Sequence, residues 1–193
     1  EPLHEIAARG TTYIEAVRHA EYALRLTNRT GRRMAVALAV DGLNTIDATS
    51  GSASKASKWV IGPRQTVTIE GWQIGPDGAR RFFFTSEDTS YGAWLGKTAH
   101  LGVIEAGAFL ERVPDPPPQP ILEHQRRESS SLGSADAAAP RAAGKQAPGE
   151  GLDDGIAATG IGRRIDHRVR RVSLDLERSP AAQLRLRYEY REQ

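Results

Sequence analysis

The stretch that decides the fold is MAVALAVDG, residues 34–42. Its larger side chains alternate with alanines from Met34 to Val40, which is the period-2 pattern of a β-strand. Because both faces of such a strand are apolar, we expect it to lie in the centre of a sheet, with its alanine face under a loop, a tail or a neighbouring subunit. The Asp41-Gly42 pair that ends it is typical of a turn.

Similar short segments occur throughout the first 113 residues. Polar and apolar side chains alternate over 66–70, and an aromatic segment covers 80–85. Turn residues, such as Pro-Asp-Gly at 76–78, separate the segments. Residues 14–26 also admit a helix, but their Tyr, Val and Thr content favours strands. The pattern predicts an all-β fold, an antiparallel β-sandwich domain over residues 1–113.

The composition changes abruptly after this region. Of the 49 residues from 114 to 162, 27 are Pro, Gly, Ala or Ser, and none is aromatic. Such a segment cannot bury enough apolar surface to offset the entropy lost on ordering, so we predict an extended low-complexity linker over 114–162. Its opening, PDPPPQP at 114–120, is typical of polyproline II structure.

Alternation returns at the C-terminus. Apolar residues occupy every second position over 172–176 and again over 184–190, and Arg178-Ser179-Pro180 between them favours a turn. We predict that residues 163–193 form a β-hairpin. Because an isolated hairpin is marginal in water, its apolar face must dock on the same or a neighbouring sheet.

The composition excludes several classes of function. The chain has no Cys, which removes disulfides, thiolate metal sites and Cys nucleophiles together. Its formal net charge of +2 indicates no particular partner. No apolar run approaches the roughly 20 residues that a membrane-spanning helix needs, so we expect no membrane span. Residues 163–193 carry nine Arg against five acidic residues, but the acids are interspersed and we expect no nucleic-acid binding.

The sequence lacks the common metal and catalytic motifs. Its five His form neither a His-x-His pair nor a His-Glu-x-x-His motif. Asp41, Asn44 and Asp47 admit a calcium loop, but their spacing is not that of an EF-hand and turn roles are favoured. Gly160-Ile161-Gly162 lacks a following helix and is interpreted as a flexible linker end, not as a phosphate loop. We expect no enzyme, no cofactor and no metal.

Aromatic residues supply the candidate contact sites, because planar rings stack on sugar faces or anchor protein interfaces. Trp59 and Trp72 flank predicted strands and are assigned to the core. Tyr91 and Trp94 lie in 86–101, a segment without clear period, and such loops tend to carry binding residues. Packing of these two rings over the sheet edge is the alternative. The candidate ligand or partner contacts, including two from the predicted hairpin, are Tyr91, Trp94, Tyr188 and Tyr190.

Seven strings outside most of the predicted linker carry a family resemblance. They are VDGLNTID (40–47), GWQ (71–73), ARRFFFT (79–85), SYGAWLGKT (90–98), LGVIEAGAFLER (101–112), GRRIDHRVRRV (162–172) and LRYEYRE (186–192). In these strings the chain resembles an uncharacterised group of exported bacterial proteins. The resemblance implies a bacterial origin and brings no activity with it. A start at Glu1 also fits removal of an export signal, and we expect an extracellular or periplasmic location.

Two hypotheses on function remain. The first is a non-enzymatic structural or assembly protein that self-associates, or binds another protein, through its linker and C-terminal hairpin. The alternative is an extracellular module that binds carbohydrate or another ligand through its loop aromatics. The solvent exposure of Trp94 separates the two, because an open ring favours the binding module and a covered ring favours assembly.

Overall fold

Strands dominate the part of the chain that the computed structural model describes, which comprises residues 2–8, 10–113 and 156–190. Residues 14–26 contribute strands and no helix, as their β-branched and aromatic content predicted. A single helical turn, α1 (Tyr91–Trp94), follows a 3-10 turn at Glu87–Thr89. The strands are β1 (Glu5–Ala8), β2 (Thr11–Ala16), β3 (Glu21–Tyr22), β4 (Leu24–Thr27), β5 (Met34–Val40), β6 (Leu43–Asn44), β7 (Trp59–Ile61), β8 (Thr66–Ile69), β9 (Gly71–Gln73), β10 (Gly78–Ser86), β11 (Val103–Leu110), β12 (Ala157–Asp166) and β13 (Ala182–Tyr190).

The larger sheet has the strand order β1-β2-β13-β11-β5-β6, with β7 also paired to β5. Strand β5 therefore has partners on both edges, which confirms the central position predicted from its two apolar faces. Its alanine face is covered by the loop before β7: Ala37 is buried, and the Cβ of Ala53 approaches the backbone of Gly107 on the neighbouring strand. The sequence allowed a loop, a tail or a neighbouring subunit over this face, and the structure shows the loop.

The second sheet has the order β12-β10-β3, with β9 also paired to β10, and β4 and β8 form a separate two-stranded sheet. Side chains from both sheets meet in one buried cluster. It includes Leu38, Val40 and Ile104 from the larger sheet, and Trp72 and Phe82 from the second sheet. Apolar burial between two sheets is the main stabilising term of such a fold. The chain is therefore an all-β, sandwich-like protein with largely antiparallel strands, as predicted.

The turn after β5 has the conformation that its sequence predicted. Asp41 has φ 51° and Gly42 has φ 72°, so both lie in the left-handed region. A two-residue hairpin loop with both residues at positive φ is the type I′ turn, for which Asp-Gly is a preferred sequence. The turn joins β5 to β6 and fixes the position of the Asp41 side chain at the end of the central strand.

The predicted C-terminal hairpin is wrong. Strand β12 begins at Ala157, inside the predicted linker, and pairs with β10 in the smaller sheet. Residues 172–176 form no strand, and only Leu176 makes an isolated bridge, to Glu111. Strand β13 instead lies in the larger sheet, antiparallel to β11 and parallel to β2. The last two strands thus belong to two different sheets.

The start of β12 explains why the linker boundary was misplaced. Its small residues suit a strand that packs under aromatic rings, since a Cβ on Gly160 would lie 2.4 Å from the ring of Phe83. Without knowledge of the partner strand, a run of small residues has the same composition as a linker. The prediction that Gly160-Ile161-Gly162 ends the linker is also wrong, because these residues lie within β12. The remainder of the predicted linker, 114–155, lies outside the described residues.

Candidate functional site

The segment between β10 and β11 forms the base of an aromatic cluster. Ser90 is buried at the start of α1, where its Oγ accepts a 3.0 Å hydrogen bond from the backbone N–H of Ala93 and donates one of 2.7 Å to the carbonyl of Glu87. Such a serine cap satisfies a backbone donor that a helix start leaves without a partner. The cap fixes the turn that carries Tyr91 and Trp94.

Three rings lead from the core to the surface at this turn, and we call them the aromatic ladder: Trp72, Tyr91 and Trp94. Trp72 is buried in the core and donates a 3.1 Å hydrogen bond from Nε1 to the carbonyl of Gly160. The Tyr91 ring meets Trp72 edge-on at 4.9 Å between centroids, and Trp94 stacks on Tyr91 at 5.7 Å with 22° between the planes. Both geometries are favourable for aromatic pairs.

Trp94 is the open end of the ladder. Its exposed fraction is 77%, the highest among the exposed large hydrophobic residues of the described part of the chain. Since one face lies against Tyr91, most of the other face is accessible to solvent. Tyr91 is half-buried and joins the edge of the core. The turn therefore presents one planar apolar face on a support that is continuous with the core.

The two hairpin tyrosines do not belong to this site. Tyr188 is fully buried inside the sandwich, so its ring offers no surface to a ligand from solvent. Tyr190 is half-buried, and the guanidinium of Arg18 lies 4.0 Å above its ring centroid. A cation over the ring occupies the face that a ligand would need. Period-2 alternation placed both tyrosines correctly on one side of a strand, but that side faces the core.

The other two tryptophans pack inward. Trp72 is buried, which confirms its assignment to the core. Trp59 is half-buried, packs against the core cluster and donates a 2.9 Å hydrogen bond from Nε1 to Thr45 Oγ1. Neither ring offers an open face comparable with that of Trp94.

A buried polar network at the centre of the sandwich was not foreseen from the sequence. Asp41 Oδ1 accepts a 2.5 Å hydrogen bond from the Tyr188 hydroxyl and one of 2.8 Å from the N–H of Gly102. Asp41 Oδ2 accepts one of 2.7 Å from the N–H of Thr159. The Thr159 hydroxyl lies 2.7 Å from the hydroxyls of both Tyr188 and Tyr22. Each hydroxyl can therefore donate toward Asp41, in the order Tyr22, Thr159, Tyr188.

Burial disfavours the charged form of Asp41. Burial raises its pKa to about 6, against the hydrogen bonds from Tyr188, Thr159 and the Gly102 N–H, which act in the opposite direction. Burial also raises the pKa values of Tyr22 and Tyr188 well above the ordinary tyrosine value, so both remain protonated donors. Since Asp41 is only 2% exposed, its carboxylate is closed to ligands from solvent. The network is a structural connection between strands.

The side-chain oxygens of Asn44 and Asp47 accept hydrogen bonds within their own loop. Asn44 Oδ1 accepts from the N–H of Ile46, and Asp47 Oδ1 accepts from the N–H of Thr49, both two residues further on. These are the side-chain turns that the sequence favoured for this loop. Within residues 2–8, 10–113 and 156–190, no group of three or more His, Asp or Glu side chains is placed to hold a metal ion.

A shallow cleft of about 380 Å³ lies between the larger sheet and the loop before β7. Small side chains line it, including Ala37, Ala39, Ala53 and Ala56. At its edge Arg185 and Glu105 form an ion pair at 3.6 Å. Most of its lining residues are small or apolar, so it offers less for specific recognition than the aromatic ladder.

Comparisons with protein-family models, with curated proteins and with solved structures gave no match to this chain. In the described part of the chain, the helical turns are all too short to cross a membrane. The assignment of a function therefore depends on the site itself.

Proposed function

We propose that this chain is a non-enzymatic binding module whose ligand stacks on Trp94. The observation that carries the proposal is the combination of an exposed fraction of 77% with a fixed ring position on Tyr91. Exposure of a large apolar ring is unfavourable in water, and a ring that is already ordered loses little entropy when a ligand covers it. This is the open ring that favours the binding module over assembly.

Carbohydrate is the ligand class that suits such a site. One flat face of about a single ring matches the apolar C–H face of a sugar, whereas a protein interface usually needs a larger buried area. The same segment also carries exposed polar side chains, including Asp88, Thr89 and Lys97, which can hydrogen-bond to hydroxyl groups. An extracellular or periplasmic location belongs to the same proposal and is supported by the resemblance to exported proteins.

The enclosure of Asp41 supports binding over catalysis. The pKa of the Asp41 carboxyl is raised toward neutrality, which is a property that a general acid or base requires. However, its oxygens are saturated by donors from Gly102, Thr159 and Tyr188, and a substrate has no access to them.

The test is a binding screen on the full chain. Soluble cello-, xylo-, malto- and chito-oligosaccharides are titrated at up to millimolar concentration, with calorimetry as the readout. We expect at least one series to bind, and Trp94→Ala to weaken its affinity about tenfold or more, equivalent to about 1.4 kcal/mol. Val17→Ala is the matched control, since Val17 is also exposed but lies outside the ladder. Absence of binding by all four series, or equal binding by Trp94→Ala, overturns the proposal.

Self-association is the second candidate function. One observation favours it: β13 lies between β2 and β11 in the larger sheet, although it is separated from β11 by more than 70 residues of chain. A central strand that arrives from so far along the chain is a candidate for donation between copies. Sedimentation of the full chain over a wide range of concentrations tests this candidate, and a monomer at every concentration overturns it.

A further inference from the structure

The last two strands complete both sheets of the protein. We call residues 2–113 the body and residues 156–190 the C-terminal segment. In the larger sheet, β13 pairs with β11 over Ala182–Arg187 and with β2 over Leu186–Tyr190. In the smaller sheet, β12 pairs with β10. Without the segment, three strands of the body would present unpaired N–H and C=O groups, which is a strong template for strand addition.

The Asp41 carboxylate joins the body to both strands of the segment at once. From β12 it accepts the N–H of Thr159, and from β13 it accepts the hydroxyl of Tyr188. Gly102, which belongs to the body, supplies the third bond. A segment that covered Asp41 without supplying these two donors would leave a buried carboxylate short of partners, which is costly. Asp41 is therefore selective for a segment that carries a donor at each of these two positions.

We propose that the body is a receptor for the C-terminal segment, that Asp41 is its specificity-determining residue, and that a second copy of the chain can supply the segment. This inference rests on self-association, the second candidate function. Exchange changes none of the contacts between body and segment. It changes only which chain the connection belongs to.

The length of the connection sets the balance between the two forms. The 42 residues from 114 to 155 can span at most about 140 Å when fully extended, which allows either the same body or that of another copy. For two parts joined by a connection of this length, the effective concentration is roughly millimolar or below. Closed monomers should therefore prevail at micromolar concentration, and exchange should increase when chains refold together at high concentration.

The experiment uses two full-length variants with complementary defects. Leu38→Asp places a charge in the centre of the body and leaves the segment intact. Tyr188→Asp places a second carboxylate beside Asp41 and leaves the body intact. Each variant alone should fail to fold, because each puts an uncompensated charge at a fully buried position. Refolded together, a Leu38→Asp chain can donate its segment to the body of a Tyr188→Asp chain.

We expect the equimolar mixture to recover about half of the wild-type near-ultraviolet circular dichroism per chain, with a heterodimer on gel filtration, because one complete sandwich forms per pair. A second mixture, in which the Tyr188→Asp chain also carries Asp41→Asn, should recover at least tenfold less. Asn preserves the shape and the turn but replaces one acceptor oxygen by a donor.

Three results would overturn the inference. Folding of the Tyr188→Asp chain alone would show that the segment is dispensable, and a mixture equal to the sum of its parts would show that the body does not accept a segment from another copy. Equal recovery with Asp41→Asn would remove the role of Asp41. Sedimentation of the wild type tests self-association separately. If the wild type forms oligomers but the two variants do not complement each other, the oligomers use another surface. If the variants do complement each other, the body accepts a segment from another copy, even when the wild type is a monomer.

Discussion

The hydroxyl of Tyr188 donates a 2.5 Å hydrogen bond to Oδ1 of Asp41, a residue 147 positions earlier in the chain. Asp41 lies in the turn at the end of the central strand, and Tyr188 lies near the end of the last strand. Both are buried, so the pair connects the turn after β5 to β13 inside the core. A buried carboxylate with several good donors rigidifies its surroundings and is costly to disturb.

Replacement of the Asp41 carboxyl by an amide should destabilise the protein. In Asp41→Asn the amide group cannot accept from all three donors, so at least one buried N–H or O–H loses its partner. We expect the free energy of unfolding to fall by about 2–3 kcal/mol, measured by urea denaturation. Asp77→Asn is the control, because Asp77 forms an exposed ion pair with Arg168 and should change stability by less than about 0.5 kcal/mol. Similar losses in the two variants would contradict the role of the network.

The pH dependence of stability should carry the signature of Asp41. Its pKa in the folded protein is raised to about 6 from an ordinary 3.8, so the folded state retains this proton over a range in which the unfolded state has lost it. The resulting stabilisation is fully present below about pH 4 and is lost as the pH rises through 6, by about 1.4 kcal/mol per pKa unit. Tyr22 and Tyr188, which face the carboxyl, stay protonated because burial raises their pKa values.

Urea denaturation at several values between pH 4.5 and 7.5 measures this effect. The wild type should lose stability as the pH rises from 5 to 7, relative to Asp41→Asn, in which the group is absent. The carboxyls of Glu21, Glu111 and Asp47 have lowered pKa values, so their contributions are lost only at more acidic pH. Parallel curves for wild type and variant would show that Asp41 has an ordinary pKa.

The start of β12 should be as sensitive as a core strand. Ala158 is fully buried, so Ala158→Asp places an unpaired charge in the core and should abolish soluble folded protein. Ala182→Asp is the matched control within the same C-terminal segment, since Ala182 is exposed, and it should be tolerated. Soluble yield and circular dichroism give the readout. Equal tolerance would mean that 157–162 belongs to the linker after all.

Chelation should leave the protein unchanged. The oxygens of Asn44 and Asp47 already accept hydrogen bonds from their own loop, so a metal ion has no set of free ligands there. We expect the melting temperature with excess EDTA to equal that without it. A decrease of several degrees would show that the folded protein holds a metal ion, and would contradict this prediction.

The sequence predicted the elements whose signal is local. The two apolar faces of β5 indicated a central strand, and Asp41-Gly42 indicated its turn, because both patterns depend on neighbouring residues. Pairing across the chain has no such local signal. The apolar alternation over 172–176 was therefore misread as half of a hairpin, while the small residues at the start of β12 were misread as linker.

The candidate site was predictable to a similar extent. The lack of period over 86–101 identified Tyr91 and Trp94 as candidates, but their stacking and the exposure of Trp94 required the structure. The Asp41 network was missed, since an Asp in a turn gives no indication of partners at 102, 159 and 188. Its donors come from three strands or strand ends that only the topology brings together.

The resonances of the indole N–H groups test the proposed function most directly. The chain has three Trp, and two of them are internal references: Trp59 Nε1 donates to Thr45 and Trp72 Nε1 donates to the carbonyl of Gly160. The ¹⁵N-labelled full chain is titrated with the oligosaccharide series that binds most tightly, and Trp94→Phe assigns the third resonance. Binding at the ladder predicts a saturable shift of the Trp94 indole with little change in the other two. An unchanged Trp94 resonance during saturation with ligand would contradict it.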